Sequence, residues 1–282
     1  MKGGALLVGS ALVIAGTTAV TLGAHPRELG EAAKPVAELE DAEKAEEDAG
    51  QVAGCADGLA PINGGGCFAG PAGALGAPLL VYLHGMYEPR ADWEELDRQR
   101  RVARLAVKHG FAVLALRGVE GGCGAEPELA AKYCWPSNER TASRGPETVS
   151  QWQPSLRAAA RLGAGGPRYV LGFSNGGFFA GLLAVRGWFP AEAFAIGNAG
   201  PVEPVHALGA KPPLLLMSAS EDASLEGMTR FDDELTRDGW LHENHSSAGT
   251  HELTDDEIEA ALTFFARVRV EKGPLPPPLP AF

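Results

Sequence analysis

Continuous apolar runs and segments of helical period alternate from residue 77 to residue 270. APLLVYLHG (77–85) is an apolar run ending in glycine, the pattern of a strand buried on both faces. Trp93, Leu96, Val102, Leu105 and Ala106 recur at helical spacing and predict a helix from Trp93 to His109, closed by Gly110. The same reading gives strands over 111–118, 167–174, 191–200 and 212–220, with a weaker one over 241–249. It gives helices over 151–162, 177–187, 225–238 and 255–270. Segment 119–149 has little periodicity, and a loop of that length inside a domain is usually functional. No internal repeat is present. Alternation of apolar strands with helices predicts an α/β fold, a mostly parallel central sheet with helices on both faces. Sites in such sheets lie beyond the carboxyl ends of the strands. The segments after Gly85, Gly118, Ser174, Gly200, Ser220 and Gly249 are therefore expected on one rim.

Composition changes the picture at the ends of the chain. Gly3 to Ala24 is uncharged and follows Lys2; its core, LLVGSALVIAG, has the character of a secretory signal. Ala19, Gly23 and Ala24 are the small residues at which it would be cleaved. A retained anchor is the alternative, since 22 residues just suffice to cross a bilayer. Residues 25–54 hold nine acidic and three basic residues and no aromatic, which is half of the net charge of −12. Such a stretch buries too little apolar surface to order itself and is expected to be a solvated linker. Residues 273–282, GPLPPPLPAF, form an extended polyproline-like tail. The expected organisation is thus a signal or anchor (1–24), an acidic linker (25–54), one α/β domain (55–272) and the tail.

Charge and cysteine narrow the class. Lys and Arg number 24 against 36 Asp and Glu, with no basic cluster, which excludes general nucleic-acid binding. Four cysteines in an exported chain favour two disulfides, and the local pairings Cys55–Cys67 and Cys123–Cys134 are expected. CxxC spacings are absent, so no zinc site is expected. A secreted or periplasmic monomer follows, with membrane contact only through a retained N-terminal segment.

The chemistry centres on LGFSNGG, where Gly172-x-Ser174-x-Gly176 lies between a strand and a helix. Small neighbours let strand and helix approach, so that the serine hydroxyl projects from the rim. A serine needs a base to become nucleophilic. His251 follows the last strand and precedes the last helix, beside the Thr254-x-x-Glu257 capping box; His245 is its rival, within the predicted strand. Asp222, after the strand ending Ser220, is the candidate acid to orient the histidine, with Glu221 and Asp255 as alternatives. Backbone N–H groups of Asn175 and Met86, with Tyr87 as alternate, are the candidate oxyanion donors. His84 is expected to brace its loop rather than react. Tyr87, Trp135 and Phe173 are candidates to line the substrate site, with Trp152 nearby.

The order LHG, GFSNGG, Asp222, His251 resembles the α/β-hydrolase superfamily over residues 77–270. The Ser-Asn-Gly-Gly elbow is similar to the polyhydroxybutyrate depolymerase and feruloyl-esterase-like group, with the dienelactone-hydrolase and carboxylesterase branch close. The resemblance implies six to eight strands, a Ser-Asp-His triad and hydrolysis of a small or polymeric carboxylic ester without a cofactor. A serine peptidase or amidase on the same fold, and a non-catalytic scaffold, are the alternatives. The sequence departs from the family where its first two antiparallel strands belong, in 55–76, and lacks a large helical cap before Pro212. An open site partly covered by 119–149 is expected.

Overall fold

The computed structural model describes residues 54–88, 93–124, 127–205 and 209–271. The expected signal or anchor, the acidic linker up to Ala53 and the tail lie outside the described residues.

Eight strands form one sheet in the order β1-β2-β4-β3-β7-β8-β9-β10. They are β1 (Ala60–Ile62), β2 (Gly66–Ala69), β3 (Leu79–Leu83), β4 (Ala112–Leu116), β7 (Arg168–Phe173), β8 (Ala193–Gly197), β9 (Leu214–Ala219) and β10 (His242–Ser247). From β4 to β10 all pairings are parallel; β1 and β2 join antiparallel at the β4 edge. The two short antiparallel strands were hidden in the sequence because together they span only APINGGGCFA. Gly64 and Gly65, both at positive φ, make the turn between them. Between β4 and β7 the chain forms a separate hairpin of β5 (Val119–Glu120) and β6 (Tyr133–Cys134), then helices α2 (Gly145–Gln151) and α3 (Gln153–Arg161). The segment expected to be irregular is therefore partly ordered, and its helix begins at Gly145 rather than Gln151.

Side chains alternate across the sheet, and the alternation sorts the core into two layers. Leu79, Val81 and Leu83 of β3 pack on one side with α3, α4 (Asn175–Arg186) and α5 (Leu225–Arg237). Leu80 and Tyr82 pack on the other with α1 (Trp93–Lys108) and α6 (Asp255–Glu271). Continuous apolar strands follow from this: a strand covered on both faces has no polar side. The weaker β10 is the exception, an edge strand reading HENHSS with three exposed positions.

Strand order decides where the site can form. From β3 the chain crosses outward to β4, then returns to the other side of β3 as β7. The order reverses between β3 and β7, and a crevice opens beyond their carboxyl ends, as it does in open α/β sheets generally. His84, Gly85 and Met86 follow β3 there; Ser174 follows β7. Among the described residues between β8 and β9 there is no helix.

Candidate active site

Ser174 stands between β7 and α4 with φ 53 and ψ −120, a conformation that L-residues rarely adopt. Backbone packing holds it there. Its N–H donates to the Gly197 carbonyl at the end of β8 (2.9 Å), and Phe178 N–H donates to its carbonyl (2.9 Å). The glycines around it are required by close approach. A Cβ on Gly176 would fall under 3.0 Å from the carbonyls of Leu83 and His84; one on Gly172 would meet Gly176 and Ala180 as closely. Gly177 is similarly pressed against Gly197 and Ala199. The polar and glycine-rich junction in an otherwise apolar stretch thus buys a strained turn that lifts the serine to the rim.

The three candidate side chains meet. His251 Nε2 lies 2.7 Å from Ser174 Oγ, and its Nδ1 lies 2.6 Å from Asp222 Oδ2. The Asp222 side chain is 1% exposed and that of His251 is 49% exposed, so the pair runs from the interior to solvent. Burial alone would raise the Asp222 carboxyl, but hydrogen bonds from Ser224 and His251 outweigh it and hold the group below the usual carboxylate range. The Ser224 N–H donates to Asp222 Oδ1 at 2.6 Å. An ionised Asp222 accepts the Nδ1 proton of His251 and leaves Nε2 free to accept from the serine. The alternatives are placed otherwise: Asp255 pairs with Arg101 and Arg104, and His245 sits within β10.

The loop carrying His251 is fastened on its far side. Thr254 N–H donates to Glu257 Oε2 (2.8 Å) and Glu257 N–H to Thr254 Oγ1 (3.2 Å), a reciprocal capping box at the start of α6. Buried Glu257 also accepts from Ser247 at the end of β10 (2.9 Å). From α1, Arg101 donates to the Leu253 carbonyl at 2.8 Å. Sequence reading found the capping box but not Arg101, because its partners lie about 150 residues away.

Beyond β3, His84 braces its loop. It is fully buried; Nε2 accepts from Gly118 N–H at 2.8 Å, and Nδ1 faces the Gly85 carbonyl. An acceptor at Nε2 and a carbonyl at Nδ1 fix the neutral Nδ1–H tautomer. Burial pushes its pKa down to about 3. Gly85 lies so near Ser174 that an added Cβ would come 3.3 Å from that of the serine. This sets Met86 at the edge of the site. The alternate donor, Tyr87, is engaged elsewhere: it exchanges backbone hydrogen bonds with Tyr133, giving N–H to that carbonyl at 3.4 Å.

The aromatic candidates are not brought to the surface of the site. Trp135 is 1% exposed, stacked on Phe179 and edge-on to Trp152, with its indole N–H on the His84 carbonyl (2.9 Å). It packs segment 119–149 onto the sheet. Phe173, 3% exposed, lies 5.1 Å from the His251 ring and under the Arg98 guanidinium. It backs the histidine. Tyr87 is wedged between His84 and Tyr133. Apolar residues near a site read alike in sequence whether they line it or support it; here neighbouring rings claim all three.

A role that sequence reading missed belongs to the side chain of Asn175. Its Oδ1 accepts Trp135 N–H at 2.7 Å, and its amide nitrogen donates to Ser137 Oγ. The side chain of the residue after Ser174 therefore ties segment 119–149 to the start of α4. Cys123 is bridged to Cys134 at the base of this segment, and Cys55 to Cys67 at the sheet edge, with Cα separations of 5.1 and 5.5 Å. Two wide clefts elsewhere, about 730 Å³ along β10 and α6 and about 750 Å³ between Gly121–Gly124 and Asn138–Arg144, are lined by none of the triad. Among the described residues no cluster of ligand side chains is arranged for a metal, and no helix is long and apolar enough to cross a membrane.

No protein-family model matches the sequence, and no curated protein matches it significantly. Solved structures do. The Bacillus cereus carboxylesterase aligns with a TM-score of 0.56 at 16% identity, over 72% of this chain and 93% of that one. Esterase PE8 aligns at 0.54 with 21% identity, over 72% and 98%. YahD, solved with malic acid, aligns at 0.53 with 18% identity, over 72% and 98%. At these identities the likeness concerns the fold: the chain has the α/β-hydrolase fold that its sequence resembles.

Proposed function

We propose that this chain is an exported serine hydrolase that cleaves carboxylic esters through an acyl-serine intermediate. Because the fold hosts many reactions, the reading rests on the site. The observation that carries it is the unbroken chain Asp222–His251–Ser174, at 2.6 and 2.7 Å, ending on a serine held at positive φ. In this reading Ser174 Oγ attacks the ester carbonyl while His251 Nε2 takes its proton. Asp222 keeps the imidazole in the required tautomer and stabilises the imidazolium. The oxyanion rests on the backbone N–H groups of Asn175, at the start of α4, and Met86. His251 then returns its proton to the leaving alcohol, and water activated by the same base releases the acid.

The half-exposed histidine, with no helix among the described residues between β8 and β9, favours an open site that takes esters of varied bulk. Two disulfide pairs, and the apolar segment 3–24, support export. The test is Ser174→Ala against a panel of p-nitrophenyl, feruloyl and hydroxybutyrate esters. Turnover is expected to fall by about 10⁶ with the fold intact; activity near the parent's overturns Ser174 as nucleophile.

A further inference from the structure

One polar residue at the end of β8 is not used by the chemistry above. In AFAIGNAG the apolar strand closes on Gly197 and Asn198, and Asn198 is fully buried with φ 47. Asparagine tolerates this left-handed conformation better than most residues, so the backbone alone admits several replacements. The side chain is more demanding. Its Oδ1 accepts Ala219 N–H at 3.0 Å, and its Nδ2 donates to the Glu252 carbonyl at 2.9 Å. A backbone N–H can only donate and a carbonyl can only accept, so the two partners together define the orientation of the amide.

Each partner leads to the triad. Ala219 is the last residue of β9, and its carbonyl accepts Asp222 N–H at 3.2 Å, closing the turn that presents the acid. Glu252 adjoins His251. The preceding residue, Gly197, accepts Ser174 N–H at 2.9 Å, and Asn198 N–H donates to Met217 at 2.9 Å. Two consecutive residues, the last of β8 and the one after it, thus touch the serine, acid and histidine segments, which follow β7, β9 and β10.

We propose that Asn198 is a positioning residue that holds the His251 and Asp222 loops in register with Ser174. The proposal rests on the hydrolase reading for its catalytic consequence but not for its structural one. The carboxamide fits because it offers one acceptor and one donor in a single plane at this spacing without having to bind a proton. Aspartate would keep the acceptor toward Ala219 and set a second acceptor against the Glu252 carbonyl, releasing the histidine loop alone. Glycine would keep the backbone conformation and release both loops.

The experiment compares the full chain with Asn198→Gly and Asn198→Asp. Three quantities are read: ester turnover, the rate at which a fluorophosphonate labels Ser174, and the NMR resonance of the His251 Nδ1 proton shared with Asp222. Thermal unfolding sets conditions under which each variant is folded. The expected result is a fall in kcat of about 10²-fold with KM little changed, since small misplacements act on the reacting geometry. Labelling slows in parallel, and the Nδ1 proton signal shifts or broadens in both variants. Parent-like kcat, labelling and Nδ1 signal in the folded variants overturn the proposal, as does failure of both variants to fold, which would make Asn198 structural only. A parent that neither labels nor turns over esters defeats the hydrolase reading instead; the Nδ1 signal then still decides whether Asn198 orders the histidine.

Discussion

Gly172, Gly176 and Gly177 show how strictly single positions are set around Ser174. Gly176 is the most constrained, because a Cβ there would strike two backbone carbonyls rather than a side chain that can turn away. Gly176→Ala is expected to cost roughly 1–3 kcal/mol or more, since overpacking against backbone has no cheap relaxation. Urea unfolding checks this; an unchanged midpoint would mean that β3 and α4 are not packed as described. At this scale the sequence was most legible where chemistry and spacing coincided. Ser174, Asp222 and His251 each follow a strand and carry reactive groups, and the fold brings them together. Trp135 and Phe173 were illegible because their character, large and apolar, does not say which neighbour they face. The side chain of Asn175 was overlooked because the motif called attention to its N–H.

Elements add a second level of control, visible in the two disulfides. Cys55–Cys67 closes its loop at the outer β1–β2 edge, whereas Cys134 immediately precedes Trp135, whose N–H is held by Asn175. Both crosslinks close loops of similar length and should stabilise the chain by roughly 3 kcal/mol each. Their functional consequences are expected to differ. Replacing Cys123 and Cys134 by serine lowers both stability and turnover, because the loosened hairpin pulls on Asn175, the residue beside Ser174. Replacing Cys55 and Cys67 by serine lowers stability alone. Unfolding midpoints measured beside kcat for the two double variants decide it, and equal activity in both would deny segment 119–149 its hold on the site. Element order was readable from the alternation of apolar runs with helical periods, which is strong in β3, β4, β7, β8 and β9. β1 and β2 were not, since three- and four-residue strands around three glycines carry no period. Helix α2 escaped for a related reason: GPETVSQ has too few apolar residues to display one face.

At the scale of the whole molecule, the buried groups Glu95 and His84 bear on stability in opposite senses. Glu95 of α1 is fully buried against Tyr82 of β3, and burial raises its carboxyl to about 7 although Arg98 pairs with it at 2.6 Å. His84 is lowered to about 3, also by burial. The burial of Glu95 was not foreseeable, because nothing in a helix reading WEELDRQRR marks which acid turns inward. A carboxyl raised from 4.5 to about 7 binds its proton more tightly in the folded state; its stabilising contribution is complete below 4.5 and is lost as pH rises through about 7. A histidine lowered from 6.5 to about 3 does the reverse: its contribution is complete above 6.5 and is lost as pH falls toward about 3. Between 4.5 and 6.5 the two slopes oppose each other, and the parent's profile is flatter there than either group alone would make it. Glu95→Gln removes one of them and keeps a neutral side chain of the same shape. Its stability relative to the parent is therefore expected to improve as pH rises from about 4.5 to about 7, by an amount of order 3 kcal/mol across that window. Urea unfolding of both proteins at pH values spanning the window measures the difference. A difference that does not change with pH would mean that Glu95 titrates as it does in the unfolded chain, and that the ion pair with Arg98 fully offsets its burial.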